Sequence, residues 1–155
     1  MIDYVIDEPN RLIRVWMSGS NRCEDLKAHY ARVLRDPHYD PSLDCLFEID
    51  RETDGPIVTE LPEVKTVVEM LAQCQGTTKW AVVLEAGFKR TIVDYLFRDI
   101  NLRSVSMRFF ETTREAIAWI NEDRRFPVTE RTSDAARTAM WNPADGVEAS
   151  ETGHR

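Results

Sequence analysis

The side chains with the widest chemical reach in this chain are three histidines, His29, His38 and His154, and three cysteines, Cys23, Cys45 and Cys74. Nucleophilic catalysis needs a base oriented by an acid and set beside a nucleophile. Asp25 stands four residues before His29, but that spacing describes an ordinary contact on a helix surface. Zinc takes three or four protein ligands, and no CxxC or comparable ligand spacing occurs. Cys23 falls near the start of a helix, where a thiol's pKa is lowered, so it is the one cysteine with a physical reason for reactivity. Cys45 sits in a strand and Cys74 at a helix end. Glu48 and Asp50 form a carboxylate pair of a kind common on strands. These residues lead us to expect no catalytic set, no metal and no cofactor.

Two loops carry groups suited to binding. Residues 50–56 hold Asp50, Asp54 and Gly55, read as solvated acids and a turn glycine. Thr59 follows, placed to cap the next helix through its hydroxyl. Phosphorylated, it would carry a charge that a helix N-terminus stabilises. The second loop, Glu85-Ala86-Gly87-Phe88-Lys89-Arg90, lies at the carboxyl end of an apolar strand, where open α/β sheets bind ligands. Gly87, Lys89 and Arg90 at a helix N-terminus suit a carboxylate or phosphate, or form an exposed basic turn. No GxGxxG or GxxxxGK[ST] accompanies them, so a nucleotide fingerprint is absent.

The elements that must position these groups follow from residue patterning. Residues 4–6 and the run Leu12-Ile13-Arg14-Val15-Trp16-Met17 flank a turn-rich stretch, which predicts a β-hairpin. Asn21, three residues before Glu24, is a capping-box-like helix start. Leu26, Tyr30, Val33 and Leu34 supply one face of that helix, which should end before Pro37. Residues 43–49 form the next strand. Val64, Val67, Val68 and Leu71 repeat the helical spacing, with Pro62 tolerable in the first turn and Gly76 as a stop. Trp80-Ala81-Val82-Val83-Leu84 does not alternate, as expected of a strand buried on both faces. Val93, Leu96, Phe97 and Ile100 mark a third helix and residues 105–110 the last strand. Thr112 with Glu115 is a capping box for a fourth helix carrying Ala116, Ile117, Trp119 and Ile120.

The order ββαβαβαβα predicts an α/β domain over residues 1–126. Its sheet should be mixed but mostly parallel, with right-handed crossovers, an antiparallel strand from the opening hairpin, and four packing helices. Residues 127–155, rich in Thr, Ser, Glu, Arg and Ala, are expected to form a polar, flexible tail. Within it, residues 133–140 suit a transient helix, and Met140 and Trp141 are available to dock.

At 155 residues and 43% hydrophobic, the chain can bury a core without disulfides or metal. The net charge of −7, with Lys and Arg dispersed, argues against nucleic acid and anionic lipid as partners. No apolar run approaches the roughly 20 residues needed to span a bilayer. With no basic and apolar leader at Met1 and an odd number of thiols, the expected compartment is the cytoplasm.

The pattern resembles the STAS-like (SpoIIAA-like) family, in particular small bacterial proteins that combine STAS and SEC14-like (CRAL-TRIO) character. The matching residues are Lys79-Trp80-Ala81-Val82-Val83 as the penultimate strand, Arg108-Phe109-Phe110 as the last, and Glu115-Ala116-Ile117-Ala118-Trp119-Ile120 as the closing helix. The front half agrees more loosely, through Ser18-Gly19, Asp36-Pro37-x-Tyr39 and a strand ending in Asp50. The resemblance covers residues 2–122 and concerns structural positions. In regulatory STAS domains a serine at a helix N-terminus is phosphorylated and controls partner binding, and the resemblance implies Thr59 as the matching hydroxyl. The chain departs from that pattern there, with Val58 in place of Asp and Glu60-Leu61 in place of small residues.

The resemblance, with the lack of a catalytic set, implies a non-catalytic regulatory or binding module acting through a protein partner or a small anionic ligand. Its SEC14-like side implies an alternative, carriage of a lipid or other apolar small molecule. Carriage requires an apolar cavity of roughly 300 Å³ or more. Phe88, Tyr95, Phe97 and Phe109 are large enough to line one or to fill the core. A homodimer through the edge strand of the hairpin is compatible with either reading.

Overall fold

The computed structural model of the chain describes residues 1–54, 58–85, 87–98 and 100–128. Strands β1 (Ile2–Asp7) and β2 (Leu12–Met17) pair antiparallel as the expected hairpin. Asp7 organises its turn, accepting the backbone N–H of Asn10 at 3.2 Å and the Asn10 side-chain amide at 2.7 Å. There follow α1 (Cys23–Arg35), β3 (Asp44–Ile49), a short 3₁₀ turn (Val58–Glu60), α2 (Leu61–Gln73), β4 (Thr78–Val83), α3 (Phe88–Phe97), β5 (Val105–Phe110) and α4 (Thr113–Asn121). The sheet runs β1-β2-β3-β4-β5, antiparallel at the first pair and parallel thereafter.

Each parallel crossover therefore advances one strand in the same direction. Crossovers of one hand, repeated this way, stack their helices on a single face. The packing agrees. Leu26 and Val33 of α1, Val64 and Val68 of α2 and Phe97 of α3 share a core with Val15, Phe47, Trp80 and Val82. Helix α4 follows the last described strand and folds onto the opposite face, over Leu12, Leu46 and Ala81. β4 is thus buried on both faces, as its unbroken apolar run requires.

Helix α4 starts at the expected capping box: the Thr112 hydroxyl accepts the Glu115 N–H at 3.3 Å, and the Glu115 carboxylate accepts the Thr112 N–H at 3.2 Å. Helix α1 starts one residue later than the Asn21–Glu24 spacing suggests. Its N-cap is Arg22, whose N–H is accepted by the Asp25 carboxylate at 2.7 Å. Asn21 is committed elsewhere. Fully buried, it accepts from the Met1 amino group at 2.8 Å and donates to the Ser18 and Gly19 carbonyls at 3.2 and 3.0 Å.

Packing also continues past Phe126. Val128 is buried against the α4 face and is held by two hydrogen bonds to the Asn121 side chain, at 2.8 and 2.9 Å. The expected tail beyond it, including residues 133–140, Met140 and Trp141, lies outside the described residues.

Candidate functional site

Among the described residues, the loop candidates from the sequence do not converge on one anion site. The Asp50 side chain accepts the Glu52 N–H at 3.0 Å, an ordinary turn contact. Asp54 aligns with Ser20 in an isolated bridge, its N–H donating to Gly19 at 3.0 Å and its carbonyl accepting from Asn21 at 2.8 Å. Gly55 and the side chain of Lys89 lie outside the described residues. Gly87 is an exposed N-cap in an extended backbone geometry open only to glycine, φ 146°. Arg90 is tied down: its Nε donates to both Asp94 oxygens at 3.2 and 3.3 Å, and its guanidinium lies 5.1 Å from the Phe109 ring centroid.

Thr59 does not cap α2. It is exposed in the 3₁₀ turn, and the N-cap of α2 is Glu60, without a side-chain cap bond. The physical reason lies three residues on. A cap at Thr59 would serve the N–H of Leu61 or Pro62, and proline has none, which leaves it one donor instead of two. Glu60 instead pairs with Arg22 at 2.8 Å, joining the turn to α1. Cys23 is not an activated thiol. It is buried, and burial followed by the nearby Glu63 carboxylate raises its pKa, against the lowering expected at a helix start. Burial likewise pushes the Cys45 thiol up. His38 is exposed and pairs with Glu8. His154 lies outside the described residues. Among the described residues, no group of three or more His, Cys, Asp or Glu side chains is placed to hold a metal ion.

Two sizeable concavities lie among the described residues. The larger, about 810 Å³, is a cleft at the carboxyl end of the sheet whose wall includes Asp3, Glu48, Asp50, Glu85 and Glu111. Below it lies an ion pair the sequence reading passed over. Arg14, buried at 2% exposure, donates to Glu48 at 2.6 Å, and Thr113 donates to the other Glu48 oxygen at 2.8 Å. Arg51, also on the cleft wall, lies 3.4 Å from Glu85. The carboxylate excess repels an anionic ligand.

The second concavity is apolar, about 240 Å³, between the sheet and helices α1, α2 and α3. Phe47, Trp80 and Val82 form its buried floor, and the half-buried Leu61, Val67, Val93 and Phe97 form its mouth between α2 and α3. Five valines line it: Val64, Val67 and Val68 on α2, Val82 on β4 and Val93 on α3. Phe97 and Phe109 both line this space, with ring centroids 6.0 Å apart. The side chains of Phe88 and Tyr95 lie outside the described residues. Thr53 is satisfied within the wall, its hydroxyl donating to the Met17 carbonyl at 2.8 Å. Burial raises the pKa of the Tyr30 phenol, which stays neutral.

Tyr30, Phe47 and Trp80 also form one side of a smaller cavity, about 20 Å³, lined further by His29 and Gln75. His29 is 2% exposed, and burial with the nearby Arg32 charge lowers its pKa to about 4. It is therefore a neutral imidazole at physiological pH. Its ring packs edge-on against Tyr4 at 5.4 Å and tilted against Tyr30 at 5.2 Å.

Comparison with protein-family models, with curated proteins and with solved structures finds no match to this chain.

Proposed function

We propose that this chain is a non-catalytic binding module that takes up a small apolar molecule between its sheet and helices α2 and α3. The observation that carries the reading is the apolar cavity of about 240 Å³ with its valine-rich wall. Cavities of about 150 Å³ lined by Leu, Ile and Phe stay dry and accept benzene. A space of 240 Å³ suits a bicyclic aromatic or a short acyl chain, and falls below the roughly 300 Å³ of drug-sized sites. This reading belongs with the SEC14-like side of the STAS-like resemblance, which the βα alternation and the one-directional strand order support. The free thiols Cys23, Cys45 and Cys74 fit a reducing cytoplasm.

Naphthalene is a suitable probe. Titration is expected to show saturable one-to-one binding and a rise in Tm with ligand concentration. Val67→Trp at the mouth should abolish both while leaving the fold intact. Absence of saturable binding to the native chain would overturn the proposal.

One observation favours a second reading, control through a protein partner. Thr59 is exposed in the turn that leads into α2, where a modifying kinase has access. Thr59→Glu should then change affinity for an identified partner, and an unchanged affinity would count against it.

A further inference from the structure

We infer that the ligand carries one neutral, hydroxyl-sized polar group, held by His29, Gln75 and Trp80 at the inner end of the apolar cavity. The inference rests on the apolar-ligand reading and narrows it to a chemical class, such as a phenol or an alcohol on a small hydrocarbon frame.

Buried polar atoms in folded proteins nearly always have a partner. Here the indole Nε1 of Trp80, the amide Oε1 of Gln75 and both ring nitrogens of His29 are buried without a partner in the protein. Trp80 and His29 are 3% and 2% exposed, so bulk water does not satisfy them. All three side chains line the same cavity of about 20 Å³, above the roughly 10–15 Å³ that one oxygen-sized group requires. Gln75 is oriented from behind. Its Nε2 donates to the Tyr39 hydroxyl at 3.0 Å, and that hydroxyl donates to the Cys74 carbonyl at 3.2 Å. This leaves Oε1 as a spare acceptor.

The donor and acceptor balance defines the guest. Trp80 can only donate, Gln75 Oε1 can only accept, and neutral His29 offers one of each. A hydroxyl accepts from both donors and gives its one proton to Gln75 Oε1 or to the bare His29 nitrogen, so it answers three of the four groups. A carboxylate or an ammonium does not, because neither Lys, Arg, Asp nor Glu is among the described residues lining this cavity, and an unpaired charge is expensive to bury. The small cavity shares Tyr30, Phe47 and Trp80 with the apolar one. The two cavities therefore adjoin along these three residues, the side toward which the ligand's polar group is directed.

Isothermal titration of the native chain with naphthalene, 2-naphthol and 2-naphthoate at neutral pH tests this. Water holds 2-naphthol better than naphthalene, so a purely apolar site would prefer the hydrocarbon. The expected result is the reverse, 2-naphthol binding about tenfold tighter and 2-naphthoate weaker than either. His29→Phe should erase the preference while leaving the naphthalene Kd unchanged. Equal or weaker binding of 2-naphthol by the native chain would overturn the inference without needing the variant. Naphthalene binding without that preference would leave the apolar reading standing, whereas failure of all three to bind would overturn both. Naphthoate binding as tightly as naphthol would overturn the neutral character of the site.

Discussion

Along β4, Ala81 points to one side of the sheet and Trp80 and Val82 to the other, and the helix layers they meet differ accordingly. On the α4 side, Ala81 and Ala116 are both 0% exposed. With side chains that small, helix and sheet approach closely, and Leu12, Leu46, Ile117 and Ile120 close the remaining space. On the other side three helices meet the sheet through valines and aromatic rings, and a cavity stays between them. Both layers are apolar, so hydrophobicity alone does not distinguish them. Side-chain size does, with Ala81 and Ala116 on one face and an apolar cavity on the other.

The largest effect should come from the polar group on the α4 face. Glu48→Ala leaves buried Arg14 without its carboxylate and is expected to cost about 3–5 kcal/mol, read from urea unfolding. An unchanged midpoint would show that Arg14 finds another partner there.

Added volume should have opposite signs on the two faces. Ala81→Leu overpacks the α4 interface, with an expected cost of about 1–3 kcal/mol. Val82→Leu, one residue away, extends into the cavity, where an extra buried methylene contributes up to about 0.8 kcal/mol, and should weaken naphthalene binding. If both substitutions destabilise alike, the distinction between the faces fails.

The cavity side should also respond to acid. His29 has its pKa lowered in the fold to about 4 from 6.5, so as pH falls the unfolded chain binds the proton first. The stability held by the neutral ring is complete above about pH 6.5 and drains away between there and about pH 4. Between pH 7 and pH 5 the native chain should lose about 2 kcal/mol more than His29→Phe. Parallel losses in the two chains would place His29 in contact with solvent.

The smallest comparison sets two helix starts side by side. Thr112→Ala removes a formed cap and should cost about 1 kcal/mol. Thr59→Ala removes none and should stay within about 0.5 kcal/mol.

Much of the fold can be read from local pattern. The hairpin, the four-residue box Thr112-Thr113-Arg114-Glu115 and the unbroken run through Ala81 each depend on neighbours in sequence. The start of α1 escapes by one residue because Asn21, chemically a good cap, is consumed by Met1, Ser18 and Gly19. Thr59 misleads because Pro62 removes one of the two N–H groups it would serve, a signal present in the sequence. Arg14 offered a signal as well. A cation in an otherwise apolar strand demands a partner, although Glu48 and Thr113, 34 and 65 residues apart from their respective partners, become neighbours only through the sheet and α4. The cavity had the faintest trace. Val64, Val67 and Val68 reveal a short-sided stripe, but a gap depends on how far three helices stand from the sheet, which no local pattern encodes. The grouping of His29, Gln75 and Trp80 arises in the same way, from α1, the loop after α2 and β4.

Methyl-resolved NMR during a naphthalene titration tests the difference between the faces most directly. Saturable shifts are expected at the methyl groups of Val64, Val68 and Val82, with those of Leu12 and Leu46 unmoved. Shifts spread over both faces, or none that saturate, would contradict a built apolar site.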